Sequence, residues 1–349
     1  MNKVLLLPAA IRRRLQGFLV IPLAIGFPAA LAAQQPASPP ANPPAQQTQP
    51  AAPGAQPQRA PAANPPQQEE NPTFVIQRNE VNLIFTVTDR HGRYIPNLQL
   101  SDFALLDDGR APQSVTSFRQ QINLPLRVGV VIDASTSIRS RFQFEQQSAT
   151  EFLMQTLQPK TDRAFVMGFD VTPTVEADWT NDIDRLETGV NRLRPGGGTA
   201  LFDAVYTACK DKLLDVARGQ EPVRKAMVLI SDGDDNQSRV LPEEAIKECE
   251  RAETVIYAIS TNWTPSRGKG DDVLSKMSTE TGGQVFFPPS VEEMSSSFKT
   301  IQEALRSQYA LTYVPAEFKA NGLFRPIYLY CNDRKYQVMA RKGYFAPKP

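Results

Sequence analysis

Histidine and cysteine are nearly missing from this chain, with one of the former and three of the latter among 349 residues. His91 stands in a turn-like Asp-Arg-His-Gly-Arg stretch. A Ser-His-Asp or Cys-His relay therefore has almost no material. Cys209, Cys249 and Cys331 are spread widely, with no Cys-x-x-Cys pair. That excludes a thiolate zinc site and a disulfide framework. Charge of one sign is also lacking. Without Lys3, Arg12, Arg13 and Arg14 of the leader-like stretch described below, the formal charge falls from +1 to −3. No global basic field exists to attract nucleic acid or an anionic membrane. Beyond residue 32 no stretch approaches the ~18 uninterrupted apolar residues of a membrane span.

Proline is plentiful, with 30 residues concentrated towards the N-terminus. Residues 1–32 read as a signal peptide: a basic start ending at Arg14, an apolar stretch, and Ala30-Leu31-Ala32 with small residues where a leader peptidase cuts. Pro22, Gly26 and Pro28 make it a poor permanent span, and an uncleaved membrane anchor is the alternative. The expected location is exported, periplasmic or secreted, and the leader's composition suggests a bacterium. Residues 33–72 are mostly Ala, Gln and Pro. They cannot bury enough apolar surface to offset ordering entropy, so a disordered linker is expected.

Strand chemistry begins at 73–120. Val81, Leu83, Phe85 and Val87 alternate with Asn82, Thr86 and Thr88, and Ile84 is the exception. Four short strands are expected there, with Asp107-Asp108-Gly109 as a tight hairpin turn and Val115 to Phe118 continuing the ladder. Residues 309–349 return to β chemistry and are predicted to pair with 73–120, because neither flank makes a core alone. Between them, residues 124–308 alternate strand and helix. Strands are expected at 126–132, 163–169, 226–231, 254–260 and 284–287, with an antiparallel edge at 173–179. Helices are expected at 139–157, 182–194, 200–215, 242–251, 271–281 and 291–306. The fold class is therefore α/β: a doubly wound, mostly parallel sheet inserted in or flanked by a small β-sandwich-like domain. Cys209 and Cys249 fall on helices of one face. Two buried thiols are the expected state and a disulfide is the alternative.

Val128 to Ile132 is an unbroken apolar run that ends in Asp133, followed by Ser135 and Ser137. Such a run suits a strand covered on both faces. Oxygens just past its C-terminal end lie where open α/β sheets place ligands. Capping of the next helix is the plain reading of Asp-x-Ser-x-Ser by itself. Two further stretches add to it: Gly196-Gly197-Gly198-Thr199-Ala200 before an amphipathic run, and a second buried-type strand ending Ser231-Asp232-Gly233. Asp133, Ser135, Ser137, Thr199 and Asp232 form a candidate oxygen cage from three loops. Hard oxygens without nitrogen or sulfur suit Mg²⁺, Mn²⁺ or Ca²⁺, with Mg²⁺ first. The glycines lack the Lys-Ser/Thr of a phosphate loop and are read as bringing backbone close to the ion. Asp203 is read as ordering the Thr199 loop, and Asp234 and Asp235 as solvated surface charges.

This order and chemistry resemble the von Willebrand factor type A domain and its metal-ion-dependent adhesion site, over about residues 124–308. The resemblance implies that Ser135, Ser137 and Thr199 bind the cation directly, while Asp133 and Asp232 act mainly through water or as acceptors behind them. It implies a protein partner whose Asp or Glu completes the coordination. It also implies coupling of ligand entry to the last helix, 291–306, which runs into the strand at 309–313. The expected function is a cation-dependent adhesion or assembly module and not an enzyme. The alternative is a structural scaffold whose ion only stabilises loops. A metal-dependent phosphoester hydrolase using Asp133 is disfavoured, because no histidine, lysine or arginine clamp accompanies a single metal site.

Overall fold

The computed structural model describes residues 79–121, 124–216, 223–262 and 266–348. The expected leader, the Pro-rich linker and residues 73–78 lie outside the described residues. In chain order, β1 (Val81–Thr88), β2 (Phe103–Asp107) and β3 (Ser114–Gln121) come first. The α/β part follows with β4 (Leu126–Asp133), α1 (Phe142–Thr156), β5 (Arg163–Phe169), β6 (Pro173–Thr180), α2 (Ile183–Arg192) and α3 (Leu201–Thr207). It continues with β7 (Arg224–Ser231), α4 (Pro242–Arg251), β8 (Val255–Ser260), α5 (Lys269–Thr281), β9 (Val285–Phe286) and α6 (Val291–Arg306). The chain closes with β10 (Gln308–Val314), β11 (Phe324–Cys331), β12 (Gln337–Ala340) and β13 (Gly343–Phe345).

The central sheet has the order β6-β5-β4-β7-β8-β9, with β6 antiparallel and the other neighbours parallel. β4 and β7 occupy the middle, which explains why both are apolar without alternation. Val128, Val130 and Ile132 pack under α1, α2 and α6. Val131 faces the other way, into the core beneath α3, α4 and α5. Gly129 leaves room for Phe165, whose ring would lie 2.4 Å from a β-carbon there. Met294, Phe298, Ile301 and Leu305 are all buried on the inner face of α6, as their spacing of four, three and four predicts.

Two departures from expectation concern the helical layer. Helix α3 is shorter than predicted and passes into a π-helical turn over Ala208–Leu213. Cys209 in that turn is bonded to Cys249 of α4, with Cα atoms 4.9 Å apart. The expected pair of free thiols is thus corrected to a disulfide. The two helices approach side by side, and helix–helix distance is a tertiary quantity that cysteine spacing does not carry.

The flanking strands form two antiparallel sheets, β12-β1-β10-β3 and β13-β11-β2. Their inner faces share one core, including Leu83, Phe85, Phe103, Leu105, Tyr309, Leu311 and Ile327. Three strands lie between residues 79 and 121, and residues 73–78 of the stretch expected to hold four lie outside the described residues. The expected hairpin is also corrected. A turn does occur after Asp107, but β2 pairs with β11 while β3 pairs with β10, so the two strands enter different sheets. Asp107 closes β2 at this point. Its side chain points inward, 3 % exposed, and accepts hydrogen bonds from Tyr313 at 2.6 Å and Tyr344 at 3.0 Å. Burial and the bond to Asp107 push the Tyr313 phenol above its ordinary range.

The outer face of β1 is not solvent-facing along its length: Thr86 and Thr88 are buried. They line a small pocket with Gln284, Thr300 and Glu303 of the α/β part. The partly buried Ile84, the break in the alternation, meets Arg224 and Val255 at the same junction. No helix among the described residues is long and apolar enough to cross a membrane.

Candidate metal centre

Strand β4 is buried to its end and delivers Asp133 there, fully shielded from solvent. Its Oδ1 accepts the Ser135 amide at 2.8 Å, and its Oδ2 accepts the Ser231 hydroxyl at 2.7 Å. Burial pushes the Asp133 carboxyl up to about 6, with the Asp232 charge adding to it and the bonds from Ser135 and Ser231 opposing it. Past the strand the chain turns so that Ser135 Oγ and Ser137 Oγ lie 2.9 Å apart. Ser137 then donates to Asp232 Oδ2 at 2.8 Å. Ser135 is buried, Ser137 is exposed and Asp232 is half-buried, so the cluster opens to solvent on one side.

Thr199 is buried nearby in the glycine loop, placed through its backbone. Its N–H donates to Asn236 Oδ1 at 2.9 Å, and its carbonyl accepts from the amides of Asn236 and Gln237. The three loops are tied further by Thr136 Oγ1 to the Gly197 carbonyl at 3.1 Å and by the Gly196 amide to the Ala134 carbonyl at 2.8 Å. Among the described residues, hydrogen bonds join Asp133, Ser135, Ser137 and Asp232 into one set, and none joins Thr199 directly to it.

Gly197 has φ +63°, a left-handed conformation that suits glycine. At Gly198 a β-carbon would sit 2.7 Å from Asn236 Oδ1 and from Gln237 Cγ, so the close approach of the Asp232 loop favours glycine there. Asp235 is no solvated charge. It accepts the Phe202 amide at 3.2 Å and both the amide and hydroxyl of Ser238, capping the start of α3. Asp203 was expected to order the Thr199 loop, but its carboxylate orders the loop after Asp232 instead, accepting the amides of Arg239 and Val240 at 2.9 Å.

Three contributors escaped the sequence reading. Ser231 orients Asp133, and its place just before Asp232 was the available signal. Asn236 holds Thr199, with no signal short of the fold. Glu145 in the first turn of α1 is fully buried, and neither carboxylate oxygen has a hydrogen-bond partner. Burial pushes its carboxyl up to about 8 against the Arg141 charge, and the charges of Asp133 and Asp232 add to the rise.

Among the described residues, no group of three or more His, Cys, Asp or Glu side chains is placed to hold a metal ion. The candidate set is of another kind, since three of its five donors are hydroxyls. The 2.9 Å and 2.8 Å separations across Ser135, Ser137 and Asp232 are hydrogen bonds among the residues themselves. What suits a hard divalent cation is the chemistry of the set, hydroxyl and carboxylate oxygens without nitrogen or sulfur.

The von Willebrand factor type A domain model matches residues 128–303, just over half of the chain. None of the curated proteins compared with the chain matches it. Among solved structures, the chain is similar to a von Willebrand factor type A protein from Catenulispora acidiphila, at 14 % identity and TM-score 0.44, covering 70 % of this chain and 73 % of that one. It is also similar to proximal thread matrix protein 1 of the mussel byssus, in a form whose metal-ion-dependent adhesion motif is occupied by zinc. There the identity is 18 %, the TM-score 0.45, and the coverage 57 % of this chain and 50 % of that one. A third is the von Willebrand domain of the type V pili tip protein Mfa5 from Porphyromonas gingivalis, at 14 % identity and TM-score 0.42, covering 52 % and 95 %.

Proposed function

The chain belongs to the von Willebrand factor type A domain family, and from that premise we propose that it is a cation-dependent protein-binding module that works outside the cytoplasm. The observation that carries this reading is the run of oxygens from Ser135 through Ser137 to Asp232, spaced 2.9 Å and 2.8 Å and open on one side. Ser135, Ser137 and Thr199 would hold a divalent cation, Mg²⁺ first and Mn²⁺ or Ca²⁺ next. Asp133 and Asp232 would supply negative charge and orient the hydroxyls. A bound cation would offer a Lewis-acidic position to a partner's Asp or Glu. This chain's residues keep Asp133 shielded, aim the serine hydroxyls and leave the mouth clear. Helix α6 reaches β10 through Ser307 alone. Gln308 is buried and donates back to the carbonyls of Ala304 and Leu305. We propose that site occupancy reaches the β-sandwich along this path.

The scaffold reading is weakened by one observation: the three loops are already tied by direct hydrogen bonds, so an ion is not needed as a clasp. A hydrolase reading is weakened by another: both oxygens of Asp133 are engaged, by Ser135 and Ser231, which leaves a poor nucleophile. The reading assigns no catalytic residue.

Mn²⁺ provides the test. It would be titrated into the chelator-treated whole chain and followed through the relaxation of water protons. Binding raises the relaxation rate. An Asp-containing peptide then lowers it by displacing metal-bound water, while the Asn counterpart does not. Absence of Mn²⁺ binding, or equal effects of the two peptides, would sink the proposal.

A further inference from the structure

The α/β part and the β-sandwich meet at the end of the sheet opposite the candidate metal centre, about 23 Å away along β7 at ~3.3 Å per residue. A cavity of about 60 Å³ lies there, lined by β1, the starts of β7 and β8, the ends of α4 and α5, and the β12–β13 turn. On general grounds that volume admits about four water molecules or one tetrahedral oxyanion. Arg224, Lys225 and Arg341 all line it. Arg224 is 3 % exposed, and among the described residues its guanidinium donates one hydrogen bond, to the Tyr257 hydroxyl at 3.3 Å. Arg341 pairs with Glu253 at 2.7 Å and donates to the Asn82 carbonyl at 2.8 Å. The Nε atoms of both arginines are buried without a partner.

Buried donors without acceptors are rare in folded proteins, and here two belong to permanent cations in one cavity wall. We propose that this junction is a binding site for a small oxyanion of the phosphate class, held by Arg224, Lys225 and Arg341. The charge balance supports it. Glu253 is committed to Arg341, and burial together with Glu280 pushes the Glu250 carboxyl up to about 7, so much of its counter-charge is lost near neutrality. Burial holds the Lys225 amine below its ordinary value, with the Glu253 charge opposing and the Arg341 charge adding to the fall. The walls are also fixed in place. Gly282 at φ +84° lets the α5 terminus touch the Ala340–Arg341 backbone, and the Lys342 amide donates to the Glu280 carbonyl at 3.0 Å. An oxyanion here would bridge Arg224 of the α/β part and Arg341 of the sandwich.

Inorganic phosphate titrated into the whole chain, with chloride at matched ionic strength as control, tests this. One saturable site is expected, with a Tm rise of several degrees in phosphate only. Lys225→Gln, which leaves every Arg341 contact in place, weakens the affinity about tenfold, and Arg341→Gln weakens it further if that variant folds. Phenyl phosphate separates two sources of the same chemistry: exclusion identifies the free ion, and binding identifies the phosphoryl end of a larger molecule. Equal Tm in phosphate and chloride, or an affinity unchanged by Lys225→Gln, overturns the proposal.

Discussion

The two ends of the central sheet are built on opposite chemistry. At the C-terminal end of β4 and β7, carboxylates and hydroxyls face one another, and hydrogen bonds link Asp133, Ser135, Ser137 and Asp232. At the N-terminal end of β7, two arginines and a lysine line a cavity with incompletely engaged donors. The upper end draws its residues from three loops whose short motifs can be read in the chain. The lower end draws Asn82, Arg224, Glu250 and Arg341 from four distant places, so no local pattern announces it. Proximity created by one turn is visible in a sequence, and proximity created by packing two domains is not.

The largest expected effect comes from breaking the upper end. Asp133→Ala should abolish the response of Tm to divalent cations. It should also cost about 2–4 kcal/mol without them, because the buried Ser231 hydroxyl and Ser135 amide lose their acceptor. Thermal unfolding with and without chelator reads both. Loss of stability with the cation response retained would move the metal centre away from Asp133.

Next comes the disulfide, which lies off both ends. Opening the Cys209–Cys249 bond frees a loop of sequence separation 40, worth about 4 kcal/mol in the chain-entropy model. A Cys209→Ala, Cys249→Ala double variant should lower Tm by roughly 8–15 °C while leaving cation affinity unchanged. An altered affinity would mean that α3 transmits strain to the Thr199 loop.

Glu145 sharpens the comparison, because the charges of Asp133 and Asp232 help burial to keep it protonated in the core. Its folded value near 8 lies above the ordinary 4.5. The unfolded chain therefore releases this proton first as pH rises. Stability contributed by the neutral folded form is complete at low pH and declines between about 4.5 and 8. In chelator, Glu145→Gln should raise stability at pH 8 by about 2–4 kcal/mol and change little at pH 5. A pH-independent effect would refute this assignment.

The smallest effect belongs to the sandwich. Tyr313→Phe removes one of the two phenol donors to Asp107 and should cost about 1–2 kcal/mol by denaturant titration. Cation affinity should not move.

The strands and helices of the α/β part were legible because their apolar periods are long and unmixed. The expected strand 126–132 corresponds to Leu126–Asp133, and the helix 291–306 to Val291–Arg306. Of the candidate oxygens, Asp133, Ser135, Ser137 and Asp232 are joined by hydrogen bonds, and Thr199 is tied to the same loops through Asn236 instead. The hairpin at Asp107 misled because an Asp-Asp-Gly turn says nothing about which sheet each flanking strand joins. Asp235 misled because a carboxylate bonded to the start of a helix looks, in sequence, like one facing water. Glu145 was invisible because a glutamate on an amphipathic helix is ordinarily on its exposed face.

The most direct test of the central claim is thermal unfolding of the chelator-treated whole chain with Mg²⁺, Mn²⁺ or Ca²⁺, beside the isosteric Asp133→Asn. Asparagine keeps the shape and removes the charge. With cation at about 100 times its Kd, the unaltered chain should gain about 2.7 kcal/mol, a Tm rise of roughly 5–10 °C, and Asp133→Asn should gain nothing. An equal rise in both, or none in the unaltered chain, would contradict the account.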